Sequence, residues 1–223
     1  MRRYLAPLIV GILGCAILIS LGIWQVQRLG WKVAMLEEIQ ARIEAAPRPL
    51  PARYEPEMKY DPVEVSGRTT GEEVLVLSGT RELGGGYQVI SAFETEDGRR
   101  ILLDRGFIPE DDRRQPRPPV ELHVIGNLHW PEERGSSTPA PNLTEGIWFA
   151  REVPLLAEHL HTEPLLVVAA AVEGDAQGVA PVPISVQGIP NNHLEYAATW
   201  FMLAVIWAGM TVGLIWRIRQ RKY

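Results

Sequence analysis

YLAPLIVGILGCAILISLGIWQVQ at residues 4–27 and YAATWFMLAVIWAGMTVGLIW at residues 196–216 contain no Asp, Glu, Lys or Arg. Roughly 20 consecutive apolar residues cross the hydrocarbon core of a bilayer. Each stretch therefore reads as a transmembrane helix, and the chain as crossing one membrane twice. What lies between the two stretches becomes a single water-exposed insertion. The first stretch resembles a signal peptide in its basic start. Its apolar part is too long, however, and Leu21-Gly22-Ile23-Trp24-Gln25 has no small-residue cleavage pattern, so an uncleaved anchor is expected.

Charge orients the pair. Arg2 and Arg3 precede the first stretch, and Arg217, Arg219, Arg221 and Lys222 follow the second, with no acidic residue in either flank. Basic flanks stay cytoplasmic, which puts both termini inside and the insertion outside. The chain has 22 basic and 27 acidic residues; without the six basic end residues, 16 face 27 in the middle, a net charge of −11. Such a segment repels phosphate backbones, so nucleic acid is not an expected partner. The lipid bilayer is. The absence of an Arg- and Ser-rich transit segment favours a bacterial inner membrane over an organelle.

These expectations divide the chain into a cytoplasmic N-terminus (1–4), a first transmembrane helix (5–27), a periplasmic β-rich domain (28–195), a second transmembrane helix (196–216) and a basic cytoplasmic tail (217–223). The domain begins with a helical extension to about residue 46. In that extension Trp31, Met35, Leu36, Ile39 and Ile43 recur at three- and four-residue spacing, until the prolines of Pro47-Arg48-Pro49-Leu50-Pro51 stop the helix. Beyond it, alternating or β-branched runs predict strands near residues 62–67, 73–78, 87–93, 99–104, 121–130, 147–151 and 165–172, with one short helix at 153–161. The fold class is thus a membrane protein: two terminal transmembrane α-helices flank a mainly β exported domain, an antiparallel sheet or small barrel with some α. Gly84-Gly85-Gly86 lacks a following helix start and reads as a hairpin turn rather than a phosphate cradle.

The single cysteine, Cys15, lies inside the first apolar stretch. The exported domain therefore has no disulfide and no thiolate metal site, which excludes two-cysteine copper carriage and thiol exchange. His123 and His129, six apart on one expected strand, lie too far apart to share a ligand. His159 and His161 point to different helix faces. The serines show no nucleophile elbow, and no zinc-binding helix motif occurs, which leaves a membrane-anchored hydrolase as the weakest reading.

Chemistry is expected where both spans meet the exported side, at residues 24–32 and 191–200. After Ile189-Pro190, Asn192 can cap a helix, and Glu195 can reach back to it. His193 then falls in the first turn, with Tyr196, Ala197 and Trp200 following on one face. The positive helix end disfavours imidazolium and keeps a ring nitrogen available for metal. A neutral histidine above an apolar wall suits haem, with Arg28 as a partner for a propionate and Trp24 and Trp200 against the macrocycle. The same residues also read as ordinary interface anchors and a solvated histidine. Composition leaves both readings open.

Three stretches are similar to signatures of the surfeit locus protein 1 family: residues 21–32 (LGIWQVQRLGWK), residues 104–109 (DRGFIP) and residues 191–201 (NNHLEYAATWF). Glu195 and Phe107 depart from the usual Gln and Trp. The resemblance implies an assembly factor for haem-copper, aa3-type cytochrome c oxidase. Such a factor binds haem a transiently and assists its insertion into the catalytic subunit, without being an enzyme. It implies His193 as axial ligand of the haem iron and places Trp24, Gln25 and Arg28 in the first motif, with Tyr196 and Trp200 completing the cofactor site. Expected partners are the oxidase catalytic subunit and, as haem donor, haem a synthase in the same membrane. The alternative is a haem-free scaffold that stabilises an oxidase assembly intermediate.

Overall fold

The computed structural model describes residues 2–80, 84–187 and 189–220. Arg221 and Lys222 of the basic tail, and Gly188 ahead of the second span, lie outside the described residues. Two compact units divide the chain: Met1–Glu38 with Val186–Tyr223, and Ile39–Ser185.

The first unit consists of two helices, α1 (Arg2–Ile43), whose last residues belong to the second unit, and α3 (His193–Gln220). Both are long and apolar enough to cross a membrane. They run antiparallel, since contacts that rise along α1 fall along α3. A Cβ on Gly11 would meet Thr211, one on Gly14 would meet Trp207, and one on Gly22 would meet Phe201. The Cys15 thiol lies 3.8 Å from the carbonyl of Ala204. Lipid offers apolar side chains no incentive to leave it, so spans associate where small residues let the backbones approach. On α1 the sheltered positions Gly11, Cys15, Leu18, Gly22, Gln25, Leu29 and Lys32 recur by alternating fours and threes. This is the seam spacing of a left-handed helix pair. The opposite faces carry Leu5, Ile12, Leu13, Val205, Met210 and Val212, all more than half exposed and suited to lipid.

The second unit is a closed five-stranded barrel. Among the described residues the unit has seven strands, β1 (Arg48–Pro49), β2 (Pro62–Thr80), β3 (Gly84–Thr95), β4 (Arg100–Pro109), β5 (Glu121–Leu128), β6 (Ile147–Trp148) and β7 (Leu166–Gly174), with helix α2 (Val153–Leu160) before β7; the short β1 and β6 pair with β2, outside the barrel. The barrel order is β2-β3-β4-β7-β5, and β5 pairs back to β2. Closure depends on a bend in β2. Its first half pairs with β5 and its second half with β3, and the register shifts between Thr69 and Glu73 around Gly71, whose φ is +84°. β7 lies parallel to β4, and the crossover that such a pair requires contains α2.

Val63, Val65, Phe93, Ile101, Leu103, Leu122, Val124 and Val167, contributed by all five barrel strands, form the interior cluster. The alternate residues Val74, Val76, Ile90, Leu102, Leu166 and Val168 pack against Leu156, Ala157 and Leu160 of α2. Each fully buried Leu or Phe stabilises the barrel by about 2 kcal/mol.

Three local readings differ from the sequence expectation. The first two expected strands are one bent strand. The glycine triplet is not the turn but the start of β3, where Gly84, Gly85 and Gly86 pair with Thr80, Gly79 and Ser78; residues 81–83 lie outside the described residues. His129 falls just past the end of β5, beyond a register shift at Ile125 that breaks its alternation with His123.

Candidate functional site at the start of α3

Two anchors fix the start of α3. The amide of Tyr196 donates to the carbonyl of Asn192 at 3.1 Å, the first helical bond, and the Lys32 ammonium donates to the carbonyl of Pro190. Lys32 is the last residue of the stretch 21–32. With the turn held at both ends, His193 enters the α1–α3 seam at its last layer. Its Nδ1 lies 2.8 Å from Oε1 of Gln25. Gln25 is only 9% exposed, and His193 is half-buried. A buried amide needs a hydrogen-bond partner, and the imidazole provides one.

The six candidate residues do not all meet. Gln25, His193 and Trp200 lie on the sheltered faces of their helices. Trp24 and Tyr196 are 53% and 56% exposed. The expected single face for His193, Tyr196, Ala197 and Trp200 splits, because α1 covers the side carrying Ala197, which is 2% exposed. The Arg28 guanidinium lies 4.1 Å from the Trp31 ring centroid. Among the described residues, no carboxylate pairs with Arg28 and no hydrogen bond engages Nε2 of His193. This donor set fits an iron porphyrin: one free imidazole nitrogen, exposed aromatic faces, and a guanidinium available to a carboxylate.

The central stretch, Asp104 to Pro109, lies in the barrel unit and has a structural task there. One Asp104 carboxylate oxygen accepts the Gly106 amide at 3.2 Å, and the other accepts from Arg151 at 3.0 Å. Arg105 donates to the Ala176 carbonyl at 3.0 Å and to the Gln177 side chain at 3.1 Å. Phe107 and Ala180 exchange backbone hydrogen bonds at 2.8 and 3.0 Å. The stretch thus ties residues 176–180 to β4. Gly106, at φ +119°, is required: a Cβ there would lie 2.0 Å from the Ala180 carbonyl oxygen.

Arg151, the last residue of the expected strand 147–151, and Glu133 complete this cluster. The Arg151 guanidinium is shared between Asp104 and Glu133, and its backbone amide donates to Glu133 at 2.8 Å. Burial pushes the Asp104 carboxyl up to about 6 against the pull of Arg151 and the Gly106 amide. Nearby, burial followed by the charges of Arg151 and Lys59 pushes His129 down to about 4. His129 Nδ1 is buried without a hydrogen-bond partner among the described residues. His123 bonds to the Ser66 hydroxyl at 2.8 Å, and His159 packs 5.6 Å from the ring of Trp148. Among the described residues, no three His, Cys, Asp or Glu side chains gather closely enough to hold a metal ion.

Comparison with known proteins bears on all three signature stretches together. The SURF1 family model matches residues 12–205. "Surfeit locus protein 1" of Xenopus tropicalis is 30% identical over 82% of this chain and 67% of its own length. The human protein of the same name is 30% identical over 83% and 69%, and a "SURF1-like protein" of the bacterium Rickettsia felis is 28% identical over 85% and 88%. A match running from within the first helix through the barrel to within the second leaves one conclusion: the chain belongs to the SURF1 family, known as cytochrome oxidase assembly factors.

Proposed function

We propose that the protein binds haem a at the start of α3 and assists its insertion into the catalytic subunit of an aa3-type oxidase. His193 would hold the iron through an imidazole nitrogen. The observation that carries this reading is the state of the His193 ring: one nitrogen is committed to Gln25 at 2.8 Å, and the other has no hydrogen-bond partner among the described residues. Arg28 would hold a propionate, and Trp24, Tyr196 and Trp200 would supply aromatic surface to the macrocycle. When bound, the haem supplies an iron that accepts an imidazole nitrogen; no bond within the cofactor changes, so the role is delivery rather than catalysis. A single protein ligand suits a carrier that must release its cargo.

The basic residues Arg217 and Arg219 end α3, and the positive-inside tendency puts that end and the N-terminus in the cytoplasm. The barrel is then periplasmic in a bacterial inner membrane. The site lies at the periplasmic surface, where haem a synthase could hand on its product. The test is complementation. In a strain lacking this protein, the wild-type chain restores spectroscopically detected aa3 oxidase, and His193→Ala at equal membrane abundance does not. Full restoration by His193→Ala would refute the delivery role and leave the haem-free scaffold as the function.

A further inference from the structure

In the contact between Gln25 and His193 the amide oxygen Oε1 faces Nδ1 at 2.8 Å. An amide oxygen can only accept a hydrogen bond, so the nitrogen facing it, Nδ1, carries the proton. A neutral imidazole has one ring proton. With that proton on Nδ1, the lone pair is on Nε2, and only Nε2 can bind a metal. We propose that Gln25 is a positioning residue that holds His193 in the Nδ1–H tautomer and presents Nε2 as the ligating atom. This inference rests on the haem reading above. It adds the hydrogen bond behind the ligand, since a hydrogen bond that orients a histidine ligand also raises its basicity.

The packing around the amide keeps it in place. Gln25 is 9% exposed within the helix seam. One turn earlier, Gly22 brings α1 so close to α3 that a Cβ would lie 2.6 Å from Phe201. The Lys32 ammonium also donates to the carbonyl of Pro190 in the chain entering α3. The requirement is chemically narrow. A side chain at position 25 that offers an acceptor keeps Nδ1 protonated. One that offers none lets the proton move to Nε2, where it blocks ligation. The sequence alone gave no sign of this, because Gln25 and His193 are distant in the chain and meet only through the helix seam.

The experiment uses the full chain in lipid nanodiscs, labelled with 15N-histidine, with the His193 signals assigned by their loss in His193→Ala. The wild type is expected to show the Nδ1–H tautomer. Gln25→Met fills the same space without a carbonyl and should shift the ring toward Nε2–H, whereas Gln25→Glu should retain Nδ1–H. Haem a titrated into the same samples should bind Gln25→Met about 10- to 100-fold more weakly, and Gln25→Glu near the wild-type level. An Nε2–H tautomer in the wild type overturns the inference whatever the variants do. So does an unchanged tautomer in Gln25→Met, or a shifted tautomer with unchanged haem affinity while His193→Ala abolishes binding. If His193→Ala itself leaves haem affinity unchanged, the haem reading fails, and the inference fails with it for that separate reason.

Discussion

Asp104, buried, and His129, half-buried, titrate in opposite directions and predict a cancellation that single substitutions should expose. Asp104 is 1% exposed, and burial raises its carboxyl from 3.8 to about 6. The folded barrel therefore holds this proton more tightly than the unfolded chain. The resulting stabilisation is complete below about pH 4 and is lost as pH rises through 6. His129 is displaced the other way, from 6.5 to about 4, again mainly by burial. Its contribution is complete above pH 6.5 and is lost as pH falls toward 4. A shift of roughly 2 units corresponds to about 3 kcal/mol by linkage, and screening at the partly exposed His129 reduces its share to about 2 kcal/mol. The two slopes have opposite signs over one window, so wild-type stability should change by only about 1 kcal/mol between pH 4 and 6.5. Asp104→Asn removes the falling contribution, and stability should then rise by about 2 kcal/mol across the window. His129→Phe removes the rising one, and stability should fall by about 3 kcal/mol. Hydrogen exchange at the Leu102 and Leu103 amides, corrected for intrinsic rates, reads the opening free energy of the barrel core at each pH. Two variants with flat profiles, or with slopes of the same sign, would refute the reasoning.

Three further outcomes follow from the packing. Gly106→Ala forces a Cβ onto the Ala180 carbonyl at a φ of +119° and should cost more than about 3 kcal/mol; thermal unfolding with retained membrane insertion would show it. Arg151→Met leaves the buried Asp104 without its cation and should destabilise the barrel by about 3–5 kcal/mol, with Asp104→Asn in the same chain recovering part of the loss. Gly22→Leu cannot fit beside Phe201, so a cysteine pair at positions 11 and 211 that cross-links in the wild-type background should lose that cross-link.

The two spans and the mainly β insertion were legible because each depends on a short-range signal, charge-free length for the helices and alternation for the strands. Barrel closure was not. It depends on one bend in β2 at Gly71 and on β7 inserting between β4 and β5, pairings between distant residues that alternation does not encode. The helix seam was present in the sequence as Gly11, Cys15, Leu18, Gly22 and Gln25, but these do not look like a contact face by the rules of soluble proteins. In lipid, small residues rather than large apolar ones mark the contact. Trp24 and Tyr196 drew attention as aromatics, yet each sits one position from the seam residue beside it, Gln25 or Ala197. Arg151, placed at the end of an expected strand, gave no sign that it would turn inward to Asp104. His193 was identified by the motif around it, and its partner Gln25 by membership of another.

The central claim is that His193 ligates haem, and the absorption spectrum of the purified full-length protein, co-produced with the haem a biosynthetic enzymes, tests it most directly. The wild type should carry a haem a spectrum with a Soret position typical of imidazole ligation, and His193→Ala, equally abundant and equally folded, should lose or shift that spectrum. An identical spectrum in both proteins would contradict the assignment of His193 and, with it, the site described at the start of α3.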